Sequence, residues 1–218
     1  MKNSNTIFVI LIFTLLLSLS NSSFGQNTSI ALRVGSLGVG VEATRSFTST
    51  INGRFGLNYF TYNYNGQNSA GDVLYDLDLN LFSFSLLADW YPFKADFHIS
   101  GGLLYNSNKI EGVGTPARSF IVGGTIYTPE KLGTLDAKVE PNLKLSPYLG
   151  LGWGNAVNAD KKLGFVVDIG MIYQGSPDVT LTANGLMEPT SEQEPNVEDD
   201  IKNLRFYPVI SLGLTYQF

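Results

Sequence analysis

The chain of 218 residues has no cysteine, a single histidine and little charge. Without cysteine, no disulfide framework holds the fold and no thiolate is available as a nucleophile. One histidine and no cysteine cannot assemble a zinc-type ligand set, so neither a metal nor a cofactor is expected. Charged side chains make up 15% of the chain, against roughly a quarter in ordinary soluble domains. The formal net charge is -5 and no basic stripe occurs, which excludes nucleic acid as a partner. The glycine-rich stretch 150–154 lies in strand-like sequence and opens no helix, so it is not a phosphate-binding loop. Beyond residue 25 no apolar run is long enough for a membrane-spanning helix.

What is present points to export and to strands. Lys2 supplies a positive start, 7–17 is an apolar run too short to cross a bilayer comfortably, and Ser23 and Gly25 are small residues at the positions a signal peptidase reads. This pattern predicts a signal peptide over 1–25, cleaved before Gln26, and one domain over 26–218. Aromatics reach 12% and glycines number 23. Apolar and small residues alternate with a period of two, the mark of β-strands. Strands are expected at 28–34, 37–45, 51–62, 78–91, 97–109, 146–155, 163–174 and 205–218.

The connections test that count. Those at 35–36, 46–50, 92–96 and 156–162 are short; those at 63–77, 110–145 and 175–204 are long. In an outer-membrane barrel, turns on the periplasmic side are short and outer loops are long. With eight strands every long connection falls on the outer side, and with seven that parity breaks. The N-terminal stretch is therefore divided at Gly35-Ser36, a pair suited to a type II′ hairpin. One kinked strand over 29–45 is the competing reading. Within the loops, 120–128 is apolar enough to fold over the mouth or form an extra hairpin. Asn196 is placed to cap a helix over 197–204.

Facing follows from residue size. Leu37, Val39, Val41 and Ala43 alternate with Gly38, Gly40, Glu42 and Thr44. Leu149, Leu151 and Trp153 alternate with Tyr148, Gly150, Gly152 and Gly154. A soluble barrel coated in glycine would be poorly solvated, whereas a narrow lumen needs small residues. The fold expected is therefore an all-β, eight-stranded, antiparallel up-and-down transmembrane barrel with its apolar face toward lipid. Arg33, Glu42, Arg54, Asp89, His98 and Asp168 then point inward. Both signs of charge imply pairing, with Glu42–Arg54 and Asp89–His98 the expected partners. Such a network either plugs the lumen or forms a charged constriction passing small solutes or ions. Tyr59, Trp90, Tyr91, Phe97, Tyr105, Trp153, Tyr173, Phe206, Tyr216 and Phe218 fall at two levels, as rings at membrane interfaces do.

Several segments resemble the bacterial outer-membrane β-barrel superfamily that includes the eight-stranded OmpA-type domain and the opacity-like surface proteins. They are Asp89-Trp90-Tyr91-Pro92-Phe93, Ser100-Gly101-Gly102-Leu103-Leu104-Tyr105-Asn106, 147–155, Gln174-Gly175-Ser176-Pro177 and 207–218. The resemblance implies residence in the outer membrane of a Gram-negative cell envelope, against lipid and lipopolysaccharide. A closing strand ending in Phe218 resembles the signal read by the barrel assembly machinery. His98-Ile99-Ser100 is similar to the catalytic pair of outer-membrane lipid A deacylases. In that family the pair faces the membrane; here the strand's parity turns both residues inward, so no catalytic residue is expected. The function expected is a structural or surface-interaction barrel with a largely plugged polar lumen. The alternatives are a narrow porin-like channel for small solutes or ions and, after it, an outer-membrane lipid-modifying enzyme.

Overall fold

A computed structural model describes residues 27–93, 95–122, 125–157 and 162–218. The expected signal peptide over 1–25 lies outside the described residues. The elements in chain order are β1 (Thr28–Gly35), β2 (Gly38–Thr48), β3 (Ile51–Gln67), β4 (Val73–Trp90), β5 (Phe97–Asn106), β6 (Lys109–Pro116), β7 (Phe120–Val122) and β8 (Thr125–Tyr127). They continue with α1 (Pro129–Leu132), β9 (Leu135–Pro141), β10 (Leu145–Trp153), β11 (Leu163–Tyr173), β12 (Pro177–Ala183), a 3-10 helix (Gly185–Gln193), α2 (Glu194–Ile201) and β13 (Phe206–Gln217).

Eight strands close a ring, in the order β1, β2, β3, β4, β5, β10, β11, β13 and back to β1, every pairing antiparallel. The period-two segments found in the sequence are these strands, because a one-residue slip would turn every side chain to the wrong face. The first hairpin differs by one residue from expectation. Gly35 pairs with Gly38, so the turn is Ser36-Leu37, and Gly38 rather than Gly35 takes the positive φ of 101°. Leu37, assigned to the outward face, is instead swung inward and buried.

The long connections are more ordered than expected. β3 and β4 run on together past the ring as far as Gln67↔Leu74, absorbing most of the 63–77 loop. The far half of β4 then pairs with β6, β6 with β9, and β9 with β12. This extension stands at the end opposite the termini. Glycines interrupt the apolar alternation of β6 at 112 and 114, which hid that strand in the sequence. The stretch 120–128 does form a small extra hairpin, β7–β8. α2 begins earlier than expected, and Asn196 lies inside it rather than at its cap.

The two parts of the sheet sort their side chains in opposite senses. Around the ring the outward residues are apolar and exposed, among them Leu32, Val39, Phe55, Leu86, Leu103, Leu149, Phe165, Ile169 and Leu212. The inward ones are mostly glycine, serine, threonine, asparagine and ions, with a smaller apolar group that includes Leu87, Leu104, Ile172 and Val209. In the extension the face continuing the ring's interior carries Tyr62, Tyr64, Leu77, Leu79, Ile110, Val139 and Val179. Its other face carries Asn63, Asp76, Asp78, Glu111, Lys138 and Thr180. The switch falls between Tyr59↔Phe82 and Thr61↔Asn80.

Candidate functional site

The ring's interior holds a compact ionic network. Arg33 comes from β1, Glu42 from β2, Arg54 from β3, Asp89 from β4, His98 from β5 and Asp168 from β11, each 7% exposed or less. Arg33 Nε donates to Glu42 Oε1 at 2.9 Å, and its Nη1 donates to Asp168 Oδ2 and, at 3.0 Å, to Ser211 Oγ. Arg54 is the other hub. Its Nε lies 2.8 Å from Asp89 Oδ2, its Nη1 3.2 Å from Asp168 Oδ2 and 3.5 Å from Glu42 Oε1. Its Nη2 donates to Ser100 Oγ at 2.9 Å, and Ser100 Oγ donates to Asp89 Oδ1 at 2.7 Å. Each charge thus meets opposite charge at hydrogen-bonding range, which buried ions require.

The Glu42–Arg54 contact joins the two residues paired in the sequence reading. Asp89–His98 is corrected: His98 Nε2 lies 3.0 Å from Asp168 Oδ1 instead. The register explains why. Asp89 sits opposite Ser100, which takes its hydrogen bond, whereas His98 and Asp168 both sit opposite Gly152 from its two sides. A Cβ at Gly152 would collide with His98 Nε2 and also reach Asp168 Oδ1. The missing side chain is therefore what lets the two meet across a strand.

Apolar residues cover the network on the side away from the termini. Leu37, Leu87, Leu104, Tyr148, Ile172 and Val209 pack together, with Tyr207 against them. Tyr148 faces the ring's interior in both the sequence and the structure, but its part in this layer had no signal beyond parity. The Tyr207 hydroxyl donates to the Ser36 carbonyl at 2.6 Å and ties the layer to the first hairpin. Between layer and ions lies a cavity of about 40 Å³, room for about three waters.

On the side of the termini the interior is filled by Tyr91 and by an Asn52–Asn155 hydrogen bond of 3.2 Å. Tyr91 is a second correction. It was expected among the outward rings, yet it is 3% exposed, with its ring centroid 5.1 Å from that of His98. Tyr91 follows the alternation of β4, two residues beyond inward Asp89, and its N–H donates to the Thr50 carbonyl at 2.8 Å just past the Ile51↔Trp90 pair. The other interface candidates sit on the outside. Tyr59, Trp90, Trp153, Tyr173, Phe206 and Tyr216 are exposed; Phe97, Tyr105 and Phe218 are half-buried. Tyr105 stacks on Phe84, Tyr173 meets Phe206 edge-on, and Tyr216 meets Phe218 the same way.

His98 and Ser100 are fully buried within the network, so neither faces the outside. Among the described residues no group of three or more histidine, aspartate or glutamate side chains is arranged to hold a metal. In the extension, Lys138 Nζ donates to Glu140 Oε1 at 2.9 Å, which holds that carboxyl below its ordinary range.

An antiparallel ring with ions inside and leucines outside is the architecture of barrels that live in lipid. Two solved structures are similar to this chain in fold: CarO2 and CarO of Acinetobacter baumannii, each with a TM-score of 0.61, at 17% and 19% identity. Each match covers 88% of this chain and 98% of the other. CarO is an outer-membrane protein with a β-barrel fold; the likeness is one of fold and does not single out the OmpA type. No protein-family model matches this sequence, and no curated protein matches it.

Proposed function

We propose that this chain is an integral outer-membrane β-barrel, non-enzymatic, with a structural or surface-interaction role and a lumen closed by its own side chains. The observation that carries this reading is the reversal of facing along β3 and β4: lipid-like outside the ring, water-like outside the extension. Its dimensions support it. From Leu163 to Tyr173, β11 rises about 33 Å, or about 25 Å of height at the tilt usual in such barrels. The exposed rings at both ends of the ring then lie at the two membrane–water interfaces, with lipopolysaccharide around the upper one. Eight strands is also the count of OmpA-type barrels. Export by the signal peptide, with cleavage before Gln26, and delivery through the assembly machinery at Phe218 complete the proposal.

Closure is supported by three stacked obstructions: Tyr91 with Asn52 and Asn155, the ionic network, and the layer around Tyr148. The test is planar-bilayer conductance of the refolded protein, run beside membrane fractionation. Fractionation into the outer membrane with electrical silence is expected. Steady single-channel steps would replace the closed reading with that of a narrow channel for small solutes or ions. Recovery in the aqueous fraction without detergent would remove the membrane reading itself.

A further inference from the structure

Strand β3 last pairs with β2 at Tyr59, opposite Val39. Beyond that point it continues to Gln67 with β4 on one side and, among the described residues, no strand on the other. Successive residues of an antiparallel strand aim their backbone N–H and C=O at alternate neighbours. The Phe82 amide bonds Asn108 and its carbonyl accepts from Ser107, so Phe82 aims away from β3. Leu81 therefore aims at β3, and so does its partner Phe60 at β4. By alternation Thr61, Asn63 and Asn65 aim their backbone groups at the open side.

The two edges of the extension are treated differently. The β12 edge is closed: Glu198 and Glu194 of α2 accept the Val179 and Leu181 amides at 3.1 and 2.9 Å. An open edge is a template for another strand. Beside it, Phe60, Tyr62 and Tyr64 lie on the apolar face, 38%, 55% and 47% exposed. Thr61 and Asn63 lie on the polar face, bonded to Asn80 and Asp78.

We propose that the β3 edge at 61–65 takes up an extended polypeptide strand, continuing the ladder that β2 leaves at its turn. Backbone hydrogen bonds hold the guest, and its alternate side chains select it. Apolar side chains lie with Tyr62 and Tyr64, polar ones beyond Asn63, so the guest is a segment of alternating apolar and polar residues. The site does not depend on whether the lumen conducts.

The test is amide hydrogen exchange on the refolded full chain in detergent. The probe is a synthetic peptide copying residues 73–80, a sequence that already pairs with this strand. With peptide, the Thr61, Asn63 and Asn65 amides are expected to slow by about tenfold or more, while those of Phe60, Tyr62 and Tyr64 stay as they were. The same peptide N-methylated at alternate residues should have no effect. Slow exchange before peptide is added, no change at saturating peptide, or equal protection by the N-methylated peptide would each overturn the proposal. Asn63→Pro removes the central donor from the open side only. It should keep the ring folded and lose the peptide effect; a folded variant still protected by peptide would also overturn it.

Discussion

Asp168 is the residue on which the interior depends most. Its two carboxylate oxygens take Arg33, both terminal nitrogens of Arg54, and His98. Asp168→Asn keeps the shape, removes the charge, and points an amide donor at groups that are themselves donors. Summing four charge-assisted bonds would overstate the loss, because they share one ion. Breaking a buried pair by removing one partner costs about 3–5 kcal/mol. With a urea dependence of about 2 kcal/mol/M, the unfolding midpoint should fall by about 1.5–2.5 M. The assay is urea unfolding in phospholipid vesicles followed by tryptophan emission. Trp90 and Trp153 both lie exposed on the ring's outer surface and report loss of the lipid contact proposed for them. Lys138→Met, which breaks an exposed pair in the extension, should change stability by less than about 1 kcal/mol. A midpoint for Asp168→Asn within about 0.5 M of the parent would mean that the network does not hold the interior.

Three further outcomes follow from the same geometry. Leu151→Arg, in the middle of the outward face of β10, should cost about 2–4 kcal/mol in vesicles, whereas Thr180→Arg on the polar face of β12 should cost under about 1; equal effects would contradict the facing. Gly152→Ala drives a methyl between His98 and Asp168 and should destabilise by about 1–3 kcal/mol, measured in the same urea titration. Glu140, held down by Lys138, should titrate below a free glutamate by NMR. A depressed carboxyl is favoured above its unfolded value and loses that advantage as pH falls through its folded one. Lys138→Met should raise it toward the ordinary range, with Lys144, 3.7 Å from the same carboxyl, holding the remainder.

The ring was readable because its strands alternate long and unbroken between apolar outward and small or polar inward residues. Leu149, Leu151 and Trp153 against Gly150 and Gly152 cannot be mistaken for a helix. The extension was not readable, because water asks less of it. Its strands are short, glycine stands where the pattern needs a side chain, and Leu74 and Val113 sit on its polar face. Six inward charges followed from parity alone. Of their pairings, Glu42–Arg54 followed from adjacent strands, but Asp168–His98 did not, since it depends on an empty Cβ position one strand away from each. Tyr91 was legible by parity as well: it lies two residues beyond inward Asp89, and the alternation carried past Trp90 places it inside. Its aromatic character alone set it among the interface rings.

The reversal along β4 has a consequence for biogenesis. In a barrel inserted from the side of its termini, everything from Thr61 to Asn80, and the inserts carrying β6 to β9 and β12, must be translocated. If the proposed membrane reading holds, those segments would have to cross unfolded, because the ionic face of a finished sheet would meet acyl chains. The strand on which they assemble would then be β4, anchored by its lower half.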